Sequence, residues 1–335
     1  MNIAIVGATG NVGRKIIEIL EKKKINIENL FLLASKNSEG KKINYNGKEH
    51  TVTNLEKFDF SSVKIAFFAA GSGVAEKWAH VAAEKTIVID NSKYFRKDPD
   101  IPLIVPEVNS KKLSDVKNKN IIANANCSVI PVVVALKPLH DLYNINRIVA
   151  STYQSVSGAG KSAMDELLSQ TEDYFQNKEI DSKNFTKQIA FNAIPHIDSF
   201  LENGYTKEEQ KTTDEIKKIL DKKIKVTSTC VRIPVLVSHC ISANVEFNKK
   251  CDLDEIRKVL STSPGCKVID EHQDGGYITP VEAEDKFETF ISRIRLDESR
   301  ENTINLWIVS DNLVKGAALN AVQIAESLIT NDFYG

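Results

Sequence analysis

An excess of charge of either sign is missing from this chain: 44 Lys and Arg stand against 45 Asp and Glu, a formal net charge of -1. Neither nucleic acid nor an anionic membrane has an electrostatic reason to be a partner. Long apolar runs are missing as well. The longest, around Val129 to Leu136, contains Pro131 and falls far short of the roughly 20 residues that span a bilayer. Met1-Asn2-Ile3-Ala4-Ile5-Val6 runs straight into a strand-like segment without a basic n-region or a small-residue cleavage site, so no export signal is expected. Cysteine is scarce: Cys127, Cys230, Cys240, Cys251 and Cys266 are odd in number and include no C-x-x-C pair. That excludes a disulfide scaffold and suggests free thiols in a reducing cytoplasm, and no metal site is expected. Internal repeats, low-complexity tracts and flexible linkers are absent too; Lys207 to Lys225 is charge-rich, as a solvated helix face would be. Small molecules are the expected ligands.

What is present is an ordinary globular composition, 42% apolar and 27% charged, in 335 residues. Single cores stop growing near about 250–300 residues, so two domains are expected. Strand-like runs at Ile3 to Val6, Leu30 to Ala34, Ile65 to Ala69, Thr86 to Ile89 and Ile121 to Ala123 alternate with helical patterns at Asn11 to Glu21 and near Val74 to Ala83. This βαβ rhythm predicts an α/β, doubly wound, mainly parallel sheet. Asn46-Gly47, flanked by Ile43 to Tyr45 and Glu49 to Val52, predicts a small hairpin. After about Asn126 the pattern changes to longer alternating strands: Arg147 to Tyr153, Val226 to Ile233, Cys240 to Phe247, Phe287 to Leu296 and Thr303 to Val309. Interrupted by helices, they predict an α+β domain with a mixed or antiparallel sheet. A final helix, Val314 to Leu328, is expected to pack back on the first domain. The predicted domains are therefore 1–127 plus 314–335, and 128–313.

Gly7-Ala8-Thr9-Gly10-Asn11-Val12-Gly13 follows the first strand and opens the first helix. Glycines there permit a tight turn and let backbone N–H groups approach a pyrophosphate at the helix N-terminus, which predicts a dinucleotide site. Such sites for NAD usually carry an acidic residue at the tip of the second strand. This chain has Ser35-Lys36-Asn37-Ser38 instead, which suits a 2′-phosphate and favours NADP.

Asn124-Ala125-Asn126-Cys127-Ser128 lies between a strand and an apolar helical run, placing the Cys127 thiol at a helix N-terminus. There the helix dipole favours a thiolate nucleophile, and the same N–H groups can serve an oxyanion. His239, seven residues after Arg232, is the candidate acid/base, because imidazole titrates near working pH.

Taken in order, the motifs resemble those of the aspartate-semialdehyde dehydrogenase family from end to end. They are Gly7 to Gly13; Asp90-Asn91-Ser92 with Phe95-Arg96; Val105 to Asn109; Asn126-Cys127-Ser128; Ser151 to Gly160; Phe191 to Asp198; Glu209 and Lys211 before Glu215; Arg232 to His239; and Asp311-Asn312-Leu313 before Lys315-Gly316-Ala317. The resemblance implies a Rossmann-type nucleotide domain plus a substrate and dimerisation domain like that of glyceraldehyde-3-phosphate dehydrogenase. It implies that Cys127 is the nucleophile, His239 the acid/base and Gln154 an orienting group. Arg232 would bind the substrate carboxylate and Glu209 its ammonium, while Arg96, Asn126 and Lys211 would hold phosphate. Ser157, Gly158 and Asn312 would lie along the nicotinamide, with Gly7, Thr9, Gly10, Asn11, Val12, Gly13, Ser35 and Ser38 around the rest of NADP(H). The implied reaction is reduction of β-aspartyl phosphate to aspartate 4-semialdehyde with release of inorganic phosphate, through a Cys127 thioester. It would serve lysine/diaminopimelate, threonine and methionine biosynthesis in a homodimer or homotetramer.

The chain departs from the family pattern where Pro is usual at Ala125, Gly at Ser238 and Ser at Cys240, and where Arg is frequent at Asn37. None of these removes a reacting group. Two rival readings remain: a related reductase of another acyl phosphate, such as N-acetylglutamyl phosphate, and a nucleotide-binding sensor without catalysis. The first lacks a use for a carboxylate that receives a free ammonium. The second has no use for Cys127 and His239.

Overall fold

A computed structural model describes residues 1–331 of the chain. Two compact units are present: Met1–Ala125 together with the segment from Ala317 onward, and Asn126–Gly316. Among the described residues no helix is long and apolar enough to cross a membrane.

The first unit is built on a parallel sheet of seven strands, in the order β5-β2-β1-β6-β7-β9-β8. These are β1 (Asn2–Val6), β2 (Asn29–Ala34), β5 (Thr53–Asn54), β6 (Ile65–Phe68), β7 (Ile87–Asp90), β8 (Leu103–Ile104) and β9 (Ile121–Asn124). Ile3 to Val6 and Ile65 to Phe68 are almost wholly buried, as central strands of a sheet covered on both faces must be. Helix α1 (Asn11–Lys22) turns Gly13, Ile16, Ile17, Ile19 and Leu20 inward, and α2 (Ser72–Ala83) does so with alanines that allow close approach. The predicted hairpin is β3 (Lys42–Tyr45) with β4 (Lys48–Thr51). Asn46 and Gly47 both have positive φ, 50° and 73°, the turn that matches the twist of paired strands. Strands β5 and β8 have two residues each, too few to leave a periodic signal. A short helix, α3 (Pro106–Asn109), follows β8.

In the second unit the sheet is mixed, in the order β11-β10-β12-β15-β14-β13. Its strands are β10 (Ile145–Gln154), β11 (Lys225–Arg232), β12 (His239–Phe247), β13 (Cys266–Val268), β14 (Thr289–Leu296) and β15 (Thr303–Ser310). The β10–β11 and β13–β14 pairs are parallel, and the others antiparallel. Helices α4 (Val129–Tyr143) and α7 (Leu253–Thr262) pack on β14, with α4 also against β12 and β15, while α6 (Lys207–Ile219) packs on β11. Pro131 falls in the first turn of α4, where a helix has no use for the missing N–H. Helices α5 (Lys161–Phe175) and α8 (Pro280–Ala283) complete this unit.

The final helix differs from expectation at its start. Val314–Ala318 is a π turn, and α9 runs from Leu319 to Thr330. Gly316 N–H donates to the Asp311 carbonyl five residues back, 2.9 Å away, while the Asp311 carboxylate accepts from the Leu313 and Val314 N–H groups. Local satisfaction of Asp311 thus sets the wider turn. Within the first unit α9 packs on α1, with Lys23 Nζ 2.7 Å from Glu326 Oε2.

Candidate active site

In the first unit, strand order reverses between β1 and β6, and a cavity of about 700 Å³ opens at their carboxyl ends. Crevices at such reversals bind nucleotides. Gly7, Thr9, Gly10, Ser35, Lys36, Asn37 and Lys77 are among its lining residues. Two glycines are indispensable here. Gly7 has φ 85° and a Cβ on it would sit 2.6 Å from the Ala69 carbonyl oxygen; one on Gly13 would sit 2.2 Å from that of Gly7. Asn11, Val12 and Gly13 form the first turn of α1, whose cap Gly10 supplies no side-chain acceptor, leaving that turn suited to an anion. Thr9 Oγ1 approaches Ser38 Oγ at 3.5 Å, and Ser38 N–H donates to the Ser35 carbonyl at 2.9 Å. Arg96 also belongs to this unit, and its Nη2 donates to the Asn91 carbonyl at 3.1 Å.

In the second unit three strand ends meet. Gln154 closes β10 and pairs in register with Arg232, which closes β11, while His239 opens the antiparallel β12. All three side chains are buried. Cys127, immediately before the Ser128 cap of α4, places Sγ 3.4 Å from His239 Nε2. Sequence reasoning paired these residues across more than a hundred positions, and the fold brings them together. Gly316 packs against the cysteine so closely that a Cβ there would lie 3.0 Å from Cys127 Cβ. Gly158 covers the other side: a Cβ on it would be 3.1 Å from Arg232 Nη1 and 3.3 Å from His239 Nε2.

Burial, reinforced by the neighbouring Arg232 guanidinium, pushes His239 down to about 3, although the Ser238 backbone acts the other way. In the folded protein burial thus favours the neutral form of the imidazole. Burial also draws Arg232 below its usual range, against the opposing pull of Cys127, Glu208 and Cys230. One donor of its fork, Nη1, goes to the Ser155 carbonyl at 2.6 Å.

The carboxylate expected to receive a substrate ammonium needs correcting. Glu209 Oε2 accepts from Thr206 N–H at 2.7 Å and Oε1 from Cys230 N–H at 3.0 Å, while Glu209 N–H donates to Thr206 Oγ1 at 3.3 Å. Glu209 is thus half of a capping box and a tie to β11. Glu208 is the carboxylate at the site instead. Its Oε1 accepts from Asn126 Nδ2 at 2.8 Å and from Gln154 Nε2 at 3.5 Å, and its Oε2 lies 3.2 Å from Lys211 Nζ. Lys211 also pairs with Asp198 at 2.6 Å. Burial works against its charge, but Glu208 and Asp198 outweigh it and raise the lysine above its usual value.

The sequence contained both signals. Thr206-x-x-Glu209 is a capping box, and Glu208 with Lys211 has the i, i+3 spacing of one helix face.

Asn126 is held on every side: its N–H donates to Glu215 Oε2 at 2.7 Å and its Oδ1 accepts from Ser128 N–H at 2.9 Å. Asn312 Oδ1 accepts from Ser238 N–H at 2.9 Å and from Ser155 Oγ at 3.1 Å, and its Nδ2 donates to Ser157 Oγ at 3.0 Å. Ser155, which had no individual role in the sequence reading, therefore links Asn312 to the imidazole. No group of three or more His, Cys, Asp or Glu suited to a metal occurs among the described residues.

A nucleotide crevice in one unit and a thiol–imidazole pair beside a buried arginine in the other define a two-domain, nicotinamide-dependent dehydrogenase. Residues 2–116 match the semialdehyde dehydrogenase NAD-binding domain, and residues 136–315 the semialdehyde dehydrogenase dimerisation domain. The aspartate-semialdehyde dehydrogenase of Aquifex aeolicus is 49% identical over 98% of this chain and 97% of its own, and that of Rickettsia bellii is 49% identical over the same shares. The crystal structure of aspartate semialdehyde dehydrogenase II from Vibrio cholerae, 47% identical, superposes with a TM-score of 0.97 over 99% of both chains. A second structure of that enzyme is described as complexed with ASA. The chain belongs to the aspartate-semialdehyde dehydrogenase family.

Proposed function

We propose that this protein reduces β-aspartyl phosphate to aspartate 4-semialdehyde, releasing inorganic phosphate, through a thioester on Cys127. The observation that carries the reading is Cys127 Sγ lying 3.4 Å from His239 Nε2, beside an Arg232 whose charge interacts with both Cys127 and Glu208. The sulfur attacks the acyl carbon. The bond to the phosphate oxygen breaks, and phosphate leaves with the electron pair and takes up a proton. A thiolate serves well because it is both a strong nucleophile and a good leaving group. NADPH, when bound, supplies a hydride to the thioester carbon. The carbon–sulfur bond then breaks, sulfur recovers its pair and the aldehyde departs.

The remaining donors of Arg232 suit a planar carboxylate and Glu208 suits the free ammonium, a use that an N-acetylated substrate would not have. Lys211, Asn126 and Arg96 are the proposed phosphate ligands, and Gln154 orients the reacting groups, since an amide cannot titrate. Gly158 lies against the imidazole and guanidinium where a Cβ would crowd both, and with Ser157 and Asn312 it is the proposed nicotinamide side. Ser35, Lys36 and Ser38, with no acidic residue among them, favour NADP over NAD. A homodimer or homotetramer in the cytoplasm, feeding lysine, threonine and methionine synthesis, accords with this reading.

The test is phosphate-dependent reduction of NADP⁺ by aspartate semialdehyde, with NAD⁺ run at equal concentration. Turnover lost in Cys127→Ala, with NADP⁺ binding retained, is the expected result. Full turnover in that variant would refute the proposal, and a clear preference for NAD⁺ would refute the cofactor choice.

A further inference from the structure

The turn that carries Cys127 is pinned by a carboxylate from another helix. Ser128, the cap of α4, makes no side-chain hydrogen bond to that helix. Asn126 does this work from two residues earlier: its Oδ1 accepts from Ser128 N–H at 2.9 Å, and its carbonyl accepts from Val129 N–H at 2.9 Å and Ile130 N–H at 3.0 Å. The N–H of a capping residue needs an acceptor of its own, and in a capping box the acceptor is a Glu or Gln three residues on. Three residues after Asn126 stands Val129, which has nothing to offer.

Glu215, on α6, takes that place. Its Oε2 accepts from Asn126 N–H at 2.7 Å, and both residues are buried. The box is thus closed from a neighbouring helix, since α4 and α6 pack together. Glu208, two turns earlier on α6, grips the same asparagine by its amide, Oε1 accepting from Asn126 Nδ2 at 2.8 Å. Gly316 limits the turn as well, because a Cβ there would lie 3.0 Å from Cys127 Cβ and 3.1 Å from the Cys127 carbonyl oxygen.

We propose that Glu215 is a positioning residue for the nucleophile: through the Asn126 N–H it fixes the turn that holds the Cys127 thiol at the N-terminus of α4 and toward His239. It acts by reach, as a hydrogen-bond acceptor, and not by its charge. A negative charge near a thiol disfavours the thiolate, whereas a helix N-terminus favours it. Loss of the acceptor and loss of the charge therefore move the thiol in opposite directions, and two variants separate them. Glu215→Gln removes the charge and keeps an acceptor at the same reach. Glu215→Asp keeps the charge and draws the acceptor back by one methylene.

The test compares both full-length variants with the wild type by the pH dependence of iodoacetamide alkylation at Cys127, read from its own peptide by mass spectrometry, and by phosphate-dependent turnover. His239 and Arg232, which also bear on the thiol, are the same in all three proteins. In Glu215→Asp the alkylation midpoint should rise by about half a pH unit, and kcat should fall roughly tenfold or more with KM within about threefold. In Glu215→Gln the midpoint should stay at or below that of the wild type, with kcat within about threefold. A Glu215→Asp protein with the wild-type midpoint or the wild-type kcat would overturn the proposal, as would a raised midpoint or a larger loss of kcat in Glu215→Gln. If Glu215→Asp does not fold, Glu215→Gln decides alone on the same criteria. The turnover arm rests on the function proposed above, and the alkylation arm does not. A wild type without phosphate-dependent turnover would sink that reaction, while the two midpoints would still decide the role of Glu215.

Discussion

Ser238 stands beside the His239 imidazole at φ 74°, and its buried Oγ has no hydrogen-bond partner. A side chain in the left-handed region and an unpaired buried hydroxyl each cost free energy. Ser238→Gly should stabilise the protein by about 1–2 kcal/mol in urea denaturation, and a destabilised variant would contradict the strain assigned here. His239 makes a pH prediction. Its folded value of about 3 lies below the unfolded 6.5, so the unfolded chain binds more protons between those values. The stability held by the neutral ring is complete above pH 6.5 and is lost as pH falls toward 3. Between pH 7 and 5 the native protein should lose about 2 kcal/mol more than His239→Gln does; equal losses would show the ring is not buried in neutral form.

Helix α6 shows how one residue of register separates function from architecture. Glu208→Gln should lower kcat/KM for aspartate semialdehyde by roughly ten- to hundredfold, the worth of one charged hydrogen bond, with little change in stability. Glu209→Gln should cost about 1–2 kcal/mol of stability and leave kcat/KM within about threefold. The reverse pattern would restore the ammonium role to Glu209. This error had a physical origin. Both glutamates occupy the first turn of a charge-rich helix, and a motif match with one residue of slack cannot tell a cap from a ligand, although the capping box itself could have done so. The cysteine and histidine were legible because each lies at the junction of a strand with a chemically distinctive segment. Ser155 was not, because it meets the histidine ring through a backbone N–H and a hydroxyl that no local sequence pattern sets apart.

At the scale of the whole molecule, the first sheet was legible because parallel strands covered on both faces become continuous apolar runs, and α1 because its buried residues recur at helical spacing. The edge strands β5, β8 and β13, of two or three residues, escaped because they carry too few residues for any period. The π turn before α9 escaped because it depends on how Asp311 satisfies the N–H groups that follow. In the second unit, alternation identified the strands, and their pairing order supplied what alternation cannot: it is the order β11-β10-β12 that brings Arg232, Gln154 and His239 together at one end of the sheet.

The central claim is that Cys127 carries the substrate covalently. Incubating the protein with aspartate semialdehyde and NADP⁺ in the absence of phosphate should leave an aspartyl group on Cys127, seen by mass spectrometry of the intact chain and of its peptides and discharged when phosphate is added. An unmodified Cys127 in a preparation that turns over normally, or an aspartyl group carried on another residue, would contradict it.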